Sequence, residues 1–148
     1  MTPHGMMIYN VLLLSKLTIA ELNSLFPKMH FNSLLGIRVV RTHPDGVTIE
    51  CAVRDDLRNF AGVLHGGVTA TMADAAAGIG LQRHFGGKQA LTTVELKVNY
   101  LRAVTDGEMR ARSYILRAGS TLCVCRVDMF DDQKRLAATA IVTYMLLR

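Results

Sequence analysis

Asp74 is one charge in a segment composed for burial. From 59 to 81 the chain reads NFAGVLHGGVTATMADAAAGIGL, and after His65 nearly every residue but Asp74 is Gly, Ala, Thr or aliphatic. Burying an unpaired carboxylate is expensive, so one kept here needs a reason. A carboxylate in such a place can take a proton from water or attack an electrophile itself. Eight and seven residues earlier stand Gly66 and Gly67, at the expected entrance to a helix. The first turn of a helix has unpaired N–H groups and the positive end of the helix dipole. Two glycines let another molecule come close to that backbone. These are the parts of a site for a carbonyl oxygen that becomes an oxyanion. His65 and Asn59 flank it with polar groups. Singly, each residue has a plainer reading. His-Gly-Gly is a common polar helix start, Asn59 can hold a loop, and Asp74 can face solvent or pair with an Arg. The combination and its order make the case for chemistry.

The elements that must position these residues follow from hydrophobic period. Residues 67–84 read as a helix, small or apolar nearly all round, hence buried on most sides. Gly78 and Gly80 cost helix propensity and are tolerated where something must approach closely. Before it, Thr18-Ile19-Ala20-Glu21 forms a capping-box pattern, with Pro27 ending that short helix and a second turn running toward Leu35. Strand-like runs follow over 36–42 and 47–54, joined by the turn His43-Pro44-Asp45-Gly46. Four more runs lie over 92–101, 108–116, 121–130 and 136–147, with the spacing of an antiparallel meander. In the first of these, Val94, Leu96, Val98 and Tyr100 share one face. One buried helix among about six antiparallel strands predicts an α+β fold, a curved sheet wrapped around the helix. Such a sheet leaves an edge and a face in need of cover, and dimerisation supplies it.

Composition bounds the rest. The 148 residues fit one domain with a real core, half of them hydrophobic and 20% charged. We divide the chain into an N-terminal arm and helix, 1–34, and a main domain, 35–148. The net charge of +5 suits an anionic partner. With no zinc-finger spacing, RNP-like motif or dense Lys/Arg tract, nucleic acid is set aside in favour of a phosphate-bearing small molecule. The apolar runs 6–9 and 11–14 are too short to span a bilayer, and no secretory signal pattern precedes them. They are expected to form a partly helical arm packed on a partner subunit. Cys51, Cys123 and Cys125 include no CxxC pair and read as buried reduced thiols, which points to the cytoplasm. No metal-ligand cluster stands out, and no cofactor is expected.

The pattern Asn59-x-x-Gly62-x-x-His65-Gly66-Gly67, then Asp74, then a strand ending Val98-Asn99-Tyr100-Leu101, resembles the hotdog-fold acyl-CoA thioesterases. It is most similar to the phenylacetate-pathway type and its animal mitochondrial relatives. The resemblance runs from about Leu35 to Tyr144 and leaves out the N-terminal arm. It implies hydrolysis of an aryl or medium-chain acyl-CoA by a homodimer, itself paired into a dimer of dimers. It implies Asp74 as general base or nucleophile, and the Gly66 N–H as oxyanion donor. His65 would orient the helix start or contact the thioester. Asn59 would position the water or the carbonyl, and Thr93 would orient the water. The site would lie between subunits, with Asp74 facing His65 and Asn59 of the other.

For the phosphates of CoA the candidates are residues at the helix entrance and strand ends. They are Gly67, Tyr100, Arg102 and the turn holding Arg117, Gly119 and Ser120, with Lys97 and Arg112 in reserve. The small residues Ala70, Ala73, Ala77 and Gly78 are candidates to leave room for the acyl group. Two other readings keep the same ligand: an acyl-thioester hydratase or dehydratase, and a non-catalytic acyl-CoA-binding protein. A purely structural dimer module leaves Asp74 unexplained.

Overall fold

The computed structural model describes residues 16–148. The apolar runs expected to form the arm lie outside the described residues. The chain begins with α1 (Ile19–Ser24), a 3₁₀ turn (Phe26–Lys28) and α2 (His30–Leu34). The capping box is formed: Thr18 Oγ1 accepts the Glu21 N–H at 3.2 Å, and the Glu21 carboxylate accepts the Thr18 N–H at 2.7 Å. That fixes where α1 starts. Leu22 and Phe26 then enter the core, so this leading segment packs on the same core as the main domain.

The strands are β1 (Arg38–His43), β2 (Gly46–Ala52), β3 (Leu91–Tyr100), β4 (Glu108–Ala118), β5 (Leu122–Phe130) and β6 (Leu136–Leu146). They form one antiparallel sheet in the order β1-β2-β4-β5-β6-β3. The long helix α3 (Gly66–His84) packs across one face and touches β2, β3, β4, β5 and β6. Strand alternation makes this work. Val47, Ile49 and Cys51 of β2, Cys123, Cys125 and Val127 of β5, and Ala140 and Val142 of β6 all point to the helix side and are buried. The helix answers with Met72, Ala73, Ala76, Ala77 and Leu81, all fully covered. The three thiols are free and buried. Burial pushes the Cys125 thiol up to about 12 and Cys123 upward as well, so both stay neutral.

Two features set the packing of the helix and the edge of the sheet. Gly80 lets α3 lie close to the β1–β2 hairpin. A Cβ there would meet Ser113 Oγ at 2.8 Å and Gly46 Cα at 3.5 Å. The strand β3 follows α3 in sequence but occupies the sheet's edge, bonded among the described residues to β6 alone. Its Val94, Leu96 and Tyr100 are 50%, 36% and 56% exposed. An edge strand carrying apolar side chains and free backbone groups is poised for pairing.

Candidate active site

Asp74 is half-buried on α3, where it meets β3 and β6. Its Oδ1 accepts the Thr93 hydroxyl from β3 at 2.8 Å. The Tyr144 hydroxyl from β6 lies 2.8 Å from the same oxygen and 2.8 Å from the Asp74 main-chain carbonyl. Oδ2 accepts no hydrogen bond among the described residues. It belongs instead to a group that lines two adjoining clefts, one with Phe31, Asn32, Ala70 and Thr93, the other with Asn32, Gly78, Leu91 and Tyr144. The buried-looking carboxylate is therefore tolerated because it is hydrogen-bonded on one side and open on the other.

The helix start is the second half. His65 caps α3: its Nδ1 accepts the Gly67 N–H at 2.8 Å. The Gly66 N–H has no acceptor among the described residues and sits at the positive end of the helix. The Tyr100 hydroxyl, at the end of β3, donates to the Gly66 carbonyl at 2.8 Å. A cleft of ≈ 390 Å³ opens here, lined by Asn59, Gly66, Tyr100 and Arg102 among others. The chemistry available is hydrogen bonding to a developing oxyanion. Asn59 Oδ1 is used within its own loop, accepting the Ala61 and Val63 N–H groups at 2.9 and 3.3 Å, while its Nδ2 has no acceptor among the described residues.

On one chain these halves stand apart. Eight residues of helix, at about 1.5 Å each, separate Gly66 from Asp74 by about 12 Å. The clefts at Asp74 share no lining residue with the cleft at Gly66.

The expected phosphate contacts also divide. Arg102 lies at the Gly66 end. Arg117, Gly119 and Ser120 lie at the β4–β5 turn, the opposite end of the sheet, because Leu122 pairs with Met145 while Tyr100 pairs with Ala138. A strand's length, roughly 20 Å, lies between them. The Gly119 N–H is already donated to the Leu122 carbonyl at 3.0 Å, so it is not free to wrap a phosphate. Arg112 is engaged elsewhere, stacked 4.1 Å over the Tyr114 ring and paired with Asp45 at 2.5 Å. Lys97 is exposed on β3. Ala73 and Ala77 are fully buried against the sheet and make no room for a ligand, whereas Ala70 and Gly78 do line the clefts at Asp74.

Sequence reasoning missed Tyr144 and the α2 residues Phe31 and Asn32. Tyr144 falls in register with Ala138, Ala140 and Val142 and so passes for core. The signal was available, because a buried tyrosine needs a partner for its hydroxyl and Gly78 was already expected to admit a close approach. A Cβ at Gly78 would meet the Tyr144 hydroxyl at 2.6 Å. Burial, with the Asp74 charge beside it, pushes the Tyr144 hydroxyl well above its ordinary value, so it remains a donor.

Residues 61–138 match the Thioesterase superfamily model. The chain is 31% identical over 133 residues to the medium/long-chain acyl-CoA thioesterase YigI of Escherichia coli K12, with 80% of this chain and 86% of the relative covered. It is 26% identical over 135 residues to the 1,4-dihydroxy-2-naphthoyl-CoA hydrolase of the same organism, covering 89% and 96%. The fold is that of a thioesterase from Haemophilus influenzae, with a TM-score of 0.84 at 23% identity over 89% of this chain and 92% of that one.

Proposed function

The chain belongs to the thioesterase superfamily, and we propose that it hydrolyses an acyl-CoA to the free acid and CoA. The acyl group is aryl or medium-chain, in keeping with the resemblance to the phenylacetate-pathway type, and YigI and the naphthoyl-CoA hydrolase support CoA thioesters as the substrate class. One observation carries the reading. Among the described residues a carboxylate on a cleft has one oxygen within reach of two hydroxyls and the other without a donor, while an N–H without an acceptor stands at the start of the same helix.

In this reading Asp74 Oδ2 takes a proton from water as the water oxygen bonds to the thioester carbon. Attack by Oδ2 itself, followed by water, gives the same products. The Gly66 N–H donates to the carbonyl oxygen as it gains negative charge. The C–S bond then breaks, and the proton passes to the departing CoA thiolate. Thr93 acts on the carboxylate rather than on the water, since its proton is given to Oδ1. The chemistry asks for no cofactor beyond the CoA that the substrate brings. The buried free thiols fit a reducing compartment, the cytoplasm.

The 12 Å between the halves supports a site made by two copies. Thr93 holds Asp74 near the start of β3, and Tyr100 holds Gly66 at its end. Antiparallel pairing of β3 with a second β3 about the strand's middle sets the Thr93 end of one against the Tyr100 end of the other. Asp74 then faces the second copy's Gly66, and the exposed apolar residues of β3 are covered.

Thiol release from short-, medium-, long-chain and aryl acyl-CoAs tests this, for the natural chain beside Asp74→Ala. Turnover should fall by about 10²–10⁴-fold in a variant that still folds. A folded Asp74→Ala protein with full activity removes the mechanism. Tight acyl-CoA binding without release favours the binding protein, and water addition to an enoyl-CoA favours the hydratase.

A further inference from the structure

We propose that Tyr144 and Gly78 form a positioning device for the Asp74 carboxylate. This rests on the reading of Asp74 as the reacting group.

Asp74 has two rotatable side-chain bonds, and a base must meet its water within hydrogen-bond reach. Thr93 supplies one donor to Oδ1, from an edge strand whose residues around it are exposed. A threonine hydroxyl can rotate, and one donor leaves the carboxylate plane free to turn about that oxygen. Tyr144 removes this freedom. Its ring is buried between β6 and α3, 7% exposed, so its hydroxyl cannot wander. That hydroxyl lies 2.8 Å from both the main-chain carbonyl and Oδ1 of Asp74. Its one proton is shared between these two acceptors, which sets the side chain against its own backbone and leaves Oδ2 to the cleft.

Gly78 is the condition for this contact. It stands one turn after Asp74, on the side where the tyrosine arrives. A Cβ there would meet the Tyr144 hydroxyl at 2.6 Å and the ring carbon bearing it at 3.2 Å. Glycine inside a helix costs about 1 kcal/mol against alanine. Here the cost is accounted for by a hydroxyl that needs the space. Tyr144 touches neither the substrate carbonyl nor the water in the mechanism above, so its part is positioning.

The test uses the full-length chain, with decanoyl-CoA and benzoyl-CoA as probes. Tyr144→Phe keeps the ring and removes only the hydroxyl. It should lower kcat by about ten- to a hundredfold with KM unchanged, the signature of a lost transition-state contribution. Gly78→Ala keeps the hydroxyl and displaces it, and should lower kcat similarly. Because both act through one contact, the double variant should be no slower than Tyr144→Phe alone. Natural kcat in folded Tyr144→Phe, alongside an inactive Asp74→Ala, overturns the inference and spares the function. A loss confined to KM, or fully additive losses in the double variant, overturns it too. An active Asp74→Ala overturns the reading beneath it.

Discussion

The start and the middle of α3 solve the same problem in different ways. In the proposed mechanism the reacting group at the start is backbone. The Gly66 N–H is aimed by helix geometry itself, and a side-chain cap and one tyrosine hydroxyl hold the turn in place. In the middle the proposed reacting group is a side chain with torsions of its own. It is held from two strands at once, by Thr93 and Tyr144, and the helix gives up a Cβ to admit the second of them. Both halves use a tyrosine that reaches a helix carbonyl, Tyr100 to Gly66 and Tyr144 to Asp74, each at 2.8 Å. The difference teaches that a main-chain donor needs only a correct helix start, whereas a carboxylate needs a built support. Substitutions should therefore be tolerated unequally at the two places.

The sharpest way to separate them is at Gly66. Proline suits the first position of a helix, and His65 before it already has an extended ψ of 134°. Gly66→Pro should leave the fold intact while deleting the N–H, and kcat should drop by about 10²–10³-fold. Gly66→Ala keeps the N–H, and its Cβ meets Tyr100 at an ordinary 3.4 Å, so it should retain activity within a few-fold. Equal activity in the two variants would deny the helix start any part in the chemistry.

A smaller effect separates Gly80 from Gly78. At Gly80 the obstacle is Ser113, whose hydroxyl accepts the Val47 N–H at 3.1 Å, far from any reacting group. Gly80→Ala should destabilise by about 1–2 kcal/mol, because crowding and the strained Ser113 bond outweigh the gain in helix propensity. The folded variant should keep its kcat. Thermal unfolding and steady-state kinetics on the same preparation check both halves of this expectation. A kcat loss as large as that of Gly78→Ala would mean that helix packing in general, rather than the Tyr144 contact, governs Asp74.

Much of this was legible in the sequence because the signals are local. Alternation marked 47–54 and 92–101, turn residues bounded the other strands, and the small-residue run with its lone carboxylate marked α3 and Asp74. The observed ends lie within about two residues of those expected. The glycines of α3 were legible as places of close approach, and Gly78 and Gly80 are such places. What depends on long-range pairing was not legible. Nothing in 92–101 says that this strand crosses to the sheet edge. Nothing in 117–120 says that the β4–β5 turn falls at the end away from Arg102. Tyr144 was hidden by its own regularity, because an inward tyrosine in an alternating strand looks like core until its hydroxyl is given a partner.

The central claim is that Asp74 of one copy works with Gly66 of another. Mixing two inactive variants tests it most directly. Asp74→Ala and Gly66→Pro chains are co-refolded, and thiol release is compared with each variant alone. A site shared between copies predicts recovery to about a quarter of natural activity, since half the dimers are mixed and each regains one of its two sites. A mixture as inactive as its parts, in a preparation shown to contain mixed dimers, would contradict the account and place the whole reaction within one chain.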